Sequence, residues 1–152
     1  MRVNAEKGRQ EPNILVDGEL LEQFENCTLP REDWVHHTHI RVAYLYLIRH
    51  PFDAAVEKMR AGIQRYNAAV GVVDGLHSGY HETVTQAWMR LIAVTIREQG
   101  RGKDSADFCR QQPQLLQRRA LRFFYSRERI MSPAAKQSFV EADLTPLPSV
   151  KP

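Results

Sequence analysis

Apolar residues recur in this chain at three- and four-residue steps, and prolines and glycines cut that rhythm into helix-length segments. No stretch sustains the two-residue alternation of a half-buried strand, and no fixed-period repeat is present. The pattern therefore predicts an all-α protein: a single-domain helical bundle of four longer and two or three shorter helices.

The segments follow from local chemistry. Leu20, Leu21, Phe24 and Cys27 mark a first helix starting at Asp17 or Gly18, with Glu19 and Glu22 suiting the positive end of its dipole. Pro30 ends that pattern. A second helix runs from about Asp33 or Thr38 to His50, where Pro51 stops it. Asp53 reads as the N-cap of a third, which carries Val56, Met59, Arg60, Ile63 and Tyr66 to Gly71. A fourth spans about Tyr80 to Gln99, with Gly100 beyond its end. Shorter helices are expected at Ser105–Gln111, at Pro113–Tyr125, and from the Ser132-Pro133 cap to about Ala142. Residues 1–13 read as a loose arm, 14–142 as the helical domain and 143–152 as a proline-containing tail.

At 152 residues, with 43% hydrophobic and 26% charged content, the chain has material for one core and little more. A net charge of +3 is too small to imply a nucleic-acid partner by itself. No run approaches the eighteen or so apolar residues of a membrane span. The opening residues lack the apolar stretch of a secretory signal, and Cys27 and Cys109 have no metal-type spacing. A reduced, cytoplasmic protein is the expectation, with homodimerisation open.

Histidines carry the candidate chemistry. Three of the six fall in Trp34-Val35-His36-His37-Thr38-His39, and another in Gly79-Tyr80-His81-Glu82-Thr83. If its stretch is helical, His36 and His39 share one face about 5–6 Å apart at Cβ, a separation at which both can reach one ion. His37 lies about 100° round the helix, among Arg41 and Tyr44, and is expected to be more exposed. His81 shares an inward stripe with Val84, Trp88 and Leu91, and a helix start keeps its imidazole neutral. Glu82, one step round, is placed to be a fourth ligand or a general base. The spacing thus nominates His36, His39 and His81 as ligands of a divalent ion (zinc, iron, nickel or copper), with Glu82 catalytic. The plainer alternative is that each histidine is a hydrogen-bonded core residue, since H-x-x-H is a weak signal beside H-E-x-x-H.

The W-x-H-x-x-H phrase at Trp34, His36 and His39 and the G-Y-H-E-T phrase at Gly79–Thr83 resemble landmarks of a family of short, uncharacterised bacterial helical proteins. The likeness covers roughly Leu20 to Arg97. It selects those residues over His37, His50 and His77 and implies no particular activity.

Three functions compete. The first is a metal-dependent enzyme acting on a small polar molecule, with hydrolase, hydratase or lyase chemistry ahead of oxygenation. The second is a metal- or ligand-binding module without turnover. The third is a nucleic-acid or protein adaptor using Arg118, Arg119, Arg122, Arg127 and Arg129, interleaved with Phe123, Phe124 and Tyr125. Nucleic acid is the less favoured partner, because such arginines more often form the solvated face of a helix.

Overall fold

The buried middle of one helix organises the molecule. The computed structural model describes residues 15–151, so the arm expected over residues 1–13 lies outside the described residues. Helix α1 is Asp17–Glu25, α2 His36–Arg49, α3 Phe52–Ala69, α4 Glu82–Gln99 and α5 Ser105–Gln111; two short helices follow, α6 Arg127–Ile130 and α7 Pro133–Gln137. Among the described residues there are also three 3-10 turns, at Arg31–Asp33, Pro113–Leu116 and Arg118–Phe123. Every residue from Ile40 to Tyr46 is buried, so α2 is covered all round, as a central helix must be. Helices α1, α3, α4 and α5 pack around it. The expected all-α single-domain bundle is what forms.

Close packing depends on a few small or special residues. A Cβ on Gly62 of α3 would lie 2.5 Å from Phe24 Cε2, so only glycine admits the α1 ring at that depth. Helix α1 ends in a Schellman motif, in which Thr28 N–H donates to Gln23 O at 2.8 Å and Cys27 N–H to Phe24 O at 3.2 Å. That motif puts Cys27 in the left-handed region at φ 62°, a position more often given to glycine.

His37 is half-buried, and the residues one and two turns further along its side of α2, Arg41 and Tyr44, are buried beneath α5. Tyr44 stacks on Phe108 at 4.3 Å between ring centroids, and Arg41 Nε donates to Ser105 Oγ at 2.7 Å. Asp17 supplies the compensating charge, 3.2 Å from Arg41 Nη2, and also accepts from the Ser105 amide. A guanidinium this deep costs several kcal/mol to desolvate unless paired and hydrogen-bonded, and this one is both.

Two sequence expectations need correction at the C-terminal end. Pro113–Tyr125 is not one helix: Gln117 is extended between two 3-10 turns, because Leu115, Leu121 and Tyr125 must all reach the core. The final helix stops at Gln137, well short of Ala142. The proline-containing tail is non-helical through residue 151 but packs back, burying Leu147 and donating Leu144 N–H to Phe124 O at 2.9 Å. Among the described residues, no helix is long and apolar enough to cross a membrane.

Candidate functional site

His36 and His39 do sit in the first turn of α2, as their spacing suggested, but their rings serve different neighbours. His36 Nε2–H donates to Leu115 O at 2.9 Å, and its ring meets the edge of Trp88 at 4.7 Å. His39 Nδ1–H donates to Val35 O at 2.8 Å while its ring stacks on Trp34 at 3.6 Å. Trp34 in turn stacks on Phe24 and leans on Tyr66, so His39 ends an aromatic column beneath α2. Burial lowers the proton affinity of both rings, that of His39 to a pKa of about 4. Both imidazoles are neutral.

His81 caps α4, and both its ring nitrogens are occupied. Nδ1 accepts from Val84 N–H at 3.1 Å, which fixes the proton on Nε2, and Nε2–H donates to Ile130 O at 2.8 Å. Its burial also lowers its pKa, in keeping with the neutral ring expected at a helix start. A metal needs a nitrogen lone pair, and His81 has already given its own to the cap. Among the described residues, no group of three or more His, Cys, Asp or Glu side chains is placed to hold a metal ion. The residues nominated from the sequence do not fit a shared ion.

Glu82 is the member of the nominated set that lies in a cleft, and its surroundings define that cleft. It occupies the first position of α4 and is 7% exposed. Arg60 of α3 grips it in parallel, Nε to Oε1 at 2.8 Å and Nη2 to Oε2 at 2.7 Å. Tyr80 Oη donates to Oε1 at 2.8 Å and Gln86 Nε2 to Oε2 at 2.5 Å. Four donors thus fill the acceptor sites of one carboxylate. The Arg60 hydrogen bonds, helped by Gln86 and Tyr80, overcome desolvation and hold Glu82 at a pKa of about 2. A base so weak, with no lone pair to spare, has little capacity to take a proton at neutral pH. Burial, together with the neighbouring carboxylate, keeps the Tyr80 phenol protonated well above its ordinary range.

The cleft at this cluster has a volume of about 430 Å³. Arg60 and Gln64 line it from α3, Asp74 and Tyr80 from the connecting loop, and Glu82 and Gln86 from α4. Lys136 and Gln137 of α7 complete the lining with Ser138 and Phe139. The loop is tied into place: Asp74 Oδ1 accepts Tyr80 N–H at 3.1 Å, and Gly79 takes φ 86° where any Cβ would strike the Asp74 carboxylate. Lys136 Nζ donates to Tyr80 O at 2.5 Å. Thr83 then anchors the chain after α7, donating to Ser138 O and accepting from Val140 N–H.

Arg60, Tyr80, Gln86 and Lys136 were not nominated from the sequence. Gln86 was within reach, because i and i+4 side chains on a helix are neighbours. The presence of Arg60 among the apolar positions of α3 was a second signal, since a charge on a buried stripe requires a partner.

Comparison with protein-family models, curated proteins and solved structures finds no match for the chain. The W-x-H-x-x-H and G-Y-H-E-T phrases are therefore interpreted through their geometry alone.

Proposed function

We propose that this protein binds a small polar molecule in the cleft between α3, α4 and α7, and that Glu82 organises the cleft rather than reacting in it. The observation that carries this reading is the saturated Arg60–Glu82–Tyr80–Gln86 cluster, a pre-formed polar wall inside a concavity of the size that small-molecule sites occupy. Around that wall, polar capacity remains. Lys136 spends one of its three N–H donors on Tyr80 O, and Asp74 one of its two oxygens on the Tyr80 amide. Gln64 and Gln137 add amides that both donate and accept. A cation and an anion both anchored on the Tyr80 backbone, with glutamine amides in the same cleft, suit a zwitterionic or uncharged polar ligand better than a polyanion.

This is the binding-module reading of the sequence, with the ligand class of the enzyme reading. Metal-dependent turnover would need His81 to release the Val84 N–H that occupies its lone pair and all three rings to converge, so this geometry does not favour it. The test is thermal denaturation against a panel of amino acids, nucleosides and polyols, for the wild type and for Gln64→Leu and Lys136→Met. The reading expects at least one class to raise the melting temperature of the wild type and to have little effect on the variants. A shift equally large in both variants places the ligand elsewhere and contradicts it.

A further inference from the structure

A second concavity, of about 510 Å³, lies away from the Glu82 cleft, on the segment from Leu121 to Leu144. Leu121, Ile130, Met131 and Leu144 form its apolar walls, and the charged side chains lining it are both arginines, Arg122 and Arg127. Met131 and Leu144 are 42% and 57% exposed, and neighbouring Phe123 is 76% exposed. Large apolar side chains concentrated in one groove mark a surface that another molecule covers. Glu128, Glu141 and Asp143 share the segment, but none lines the groove, and Asp143 is engaged by the Ser126 amide and hydroxyl at 2.8 and 2.6 Å. Arg122 and Arg127 take part in none of the ion pairs among the described residues.

We propose that this groove docks an acidic amphipathic helix of a partner protein. Its apolar residues would fill the Leu121–Ile130–Met131–Leu144 floor, and its carboxylates would meet Arg122 and Arg127 at the rim. Charge complementarity selects an acidic partner, since both charged side chains lining the groove are arginines and Arg129, on the same short helix as Arg127, is also exposed. The floor argues against nucleic acid. Single-stranded bases need exposed aromatic platforms, but Tyr125 is only 2% exposed and spends its hydroxyl on Val140 O, and Phe124 is half-buried, leaving Phe123 as the one fully exposed ring of the segment.

The test is fluorescence anisotropy with a labelled peptide of about fourteen residues, carrying leucines at i, i+3, i+4 and i+7 and glutamates elsewhere. Saturable binding at about 10 µM is expected. It should weaken by about tenfold or more in Met131→Glu/Leu144→Glu and in Arg122→Glu/Arg127→Glu. All four positions are exposed, so unchanged circular dichroism in both double variants is expected and keeps the comparison valid. Three outcomes overturn the proposal: no saturable binding, binding that ignores the apolar pair and so reports diffuse attraction alone, or tighter binding of a single-stranded RNA of equal length.

Discussion

Arg60 and Glu82 meet through two parallel hydrogen bonds of 2.8 and 2.7 Å, which clamp the middle of α3 to the start of α4. Tyr80 and Gln86 complete the carboxylate's shell, so the pair fixes the wall of a cleft as well as the angle between two helices. The fold and the proposed site therefore depend on the same interaction.

Glu82→Gln tests that dependence. The substitution keeps the shape but removes the charge, leaving Arg60 with only the exposed Glu57 as a carboxylate partner. Breaking a fully buried pair by removing one member costs about 3–5 kcal/mol. Arg60 is 28% exposed, so a loss of about 1–3 kcal/mol is expected in urea denaturation. A variant as stable as the wild type would show that the clamp contributes nothing.

Stability should fall on mild acidification. His39 has a pKa of about 4 in the fold against an ordinary value of 6.5, and His36 and His81 are lowered in the same direction. The unfolded chain thus binds more protons than the fold between those values. This stabilisation is fully present above pH 6.5 and is lost as pH falls toward 4. The His39 share is about 2–3 kcal/mol. Glu82, lowered from 4.5 to about 2, continues the decline below pH 4.5. Denaturation midpoints measured from pH 7 to 4.5 should drop, and less steeply in His39→Phe, which keeps the stack on Trp34. A flat profile would contradict the buried, neutral histidines.

Metal content separates the two accounts of the histidines. With His81 engaged on both nitrogens, and no group of three ligands assembled among the described residues, purified protein offered zinc, iron, nickel and copper is expected to retain far less than one equivalent. Elemental mass spectrometry gives the number. Near-stoichiometric metal that disappears in a folded His36→Ala/His39→Ala/His81→Ala variant would restore the metal-dependent reading.

Local chemistry explains which parts of the fold could be read in advance. Ser105–Gln111 forms where expected because Asp104 caps it, accepting from Asp107 N–H at 2.7 Å. Ser132 likewise accepts from Ala135 N–H with Pro133 at the first helical position. Pro113–Tyr125 was misread because tertiary demands outweigh propensity there. The carbonyl of Leu115 goes to His36, 79 residues away, and three separated side chains reach inward.

The candidate site divides in the same way. Glu82 was legible from its place in a first turn beside an inward histidine. Its partner Arg60 lies 22 residues back, and Lys136 reaches Tyr80 across 56 residues, so neither pairing leaves a mark in local spacing. The histidine spacing was correctly placed on α2. What it could not convey is that each ring would be claimed by a backbone carbonyl.

The most direct test of the central claim is a ligand titration followed by two-dimensional ¹H–¹⁵N NMR, using the same panel of amino acids, nucleosides and polyols. The account predicts saturable shifts in the side-chain amides of Gln64, Gln86 and Gln137 and in the backbone amides of Tyr80 and Ser138, at one common affinity. Saturable shifts gathered around His36, His39 and Trp34 with the Glu82 cleft silent, or no saturable shift from any compound, would contradict it.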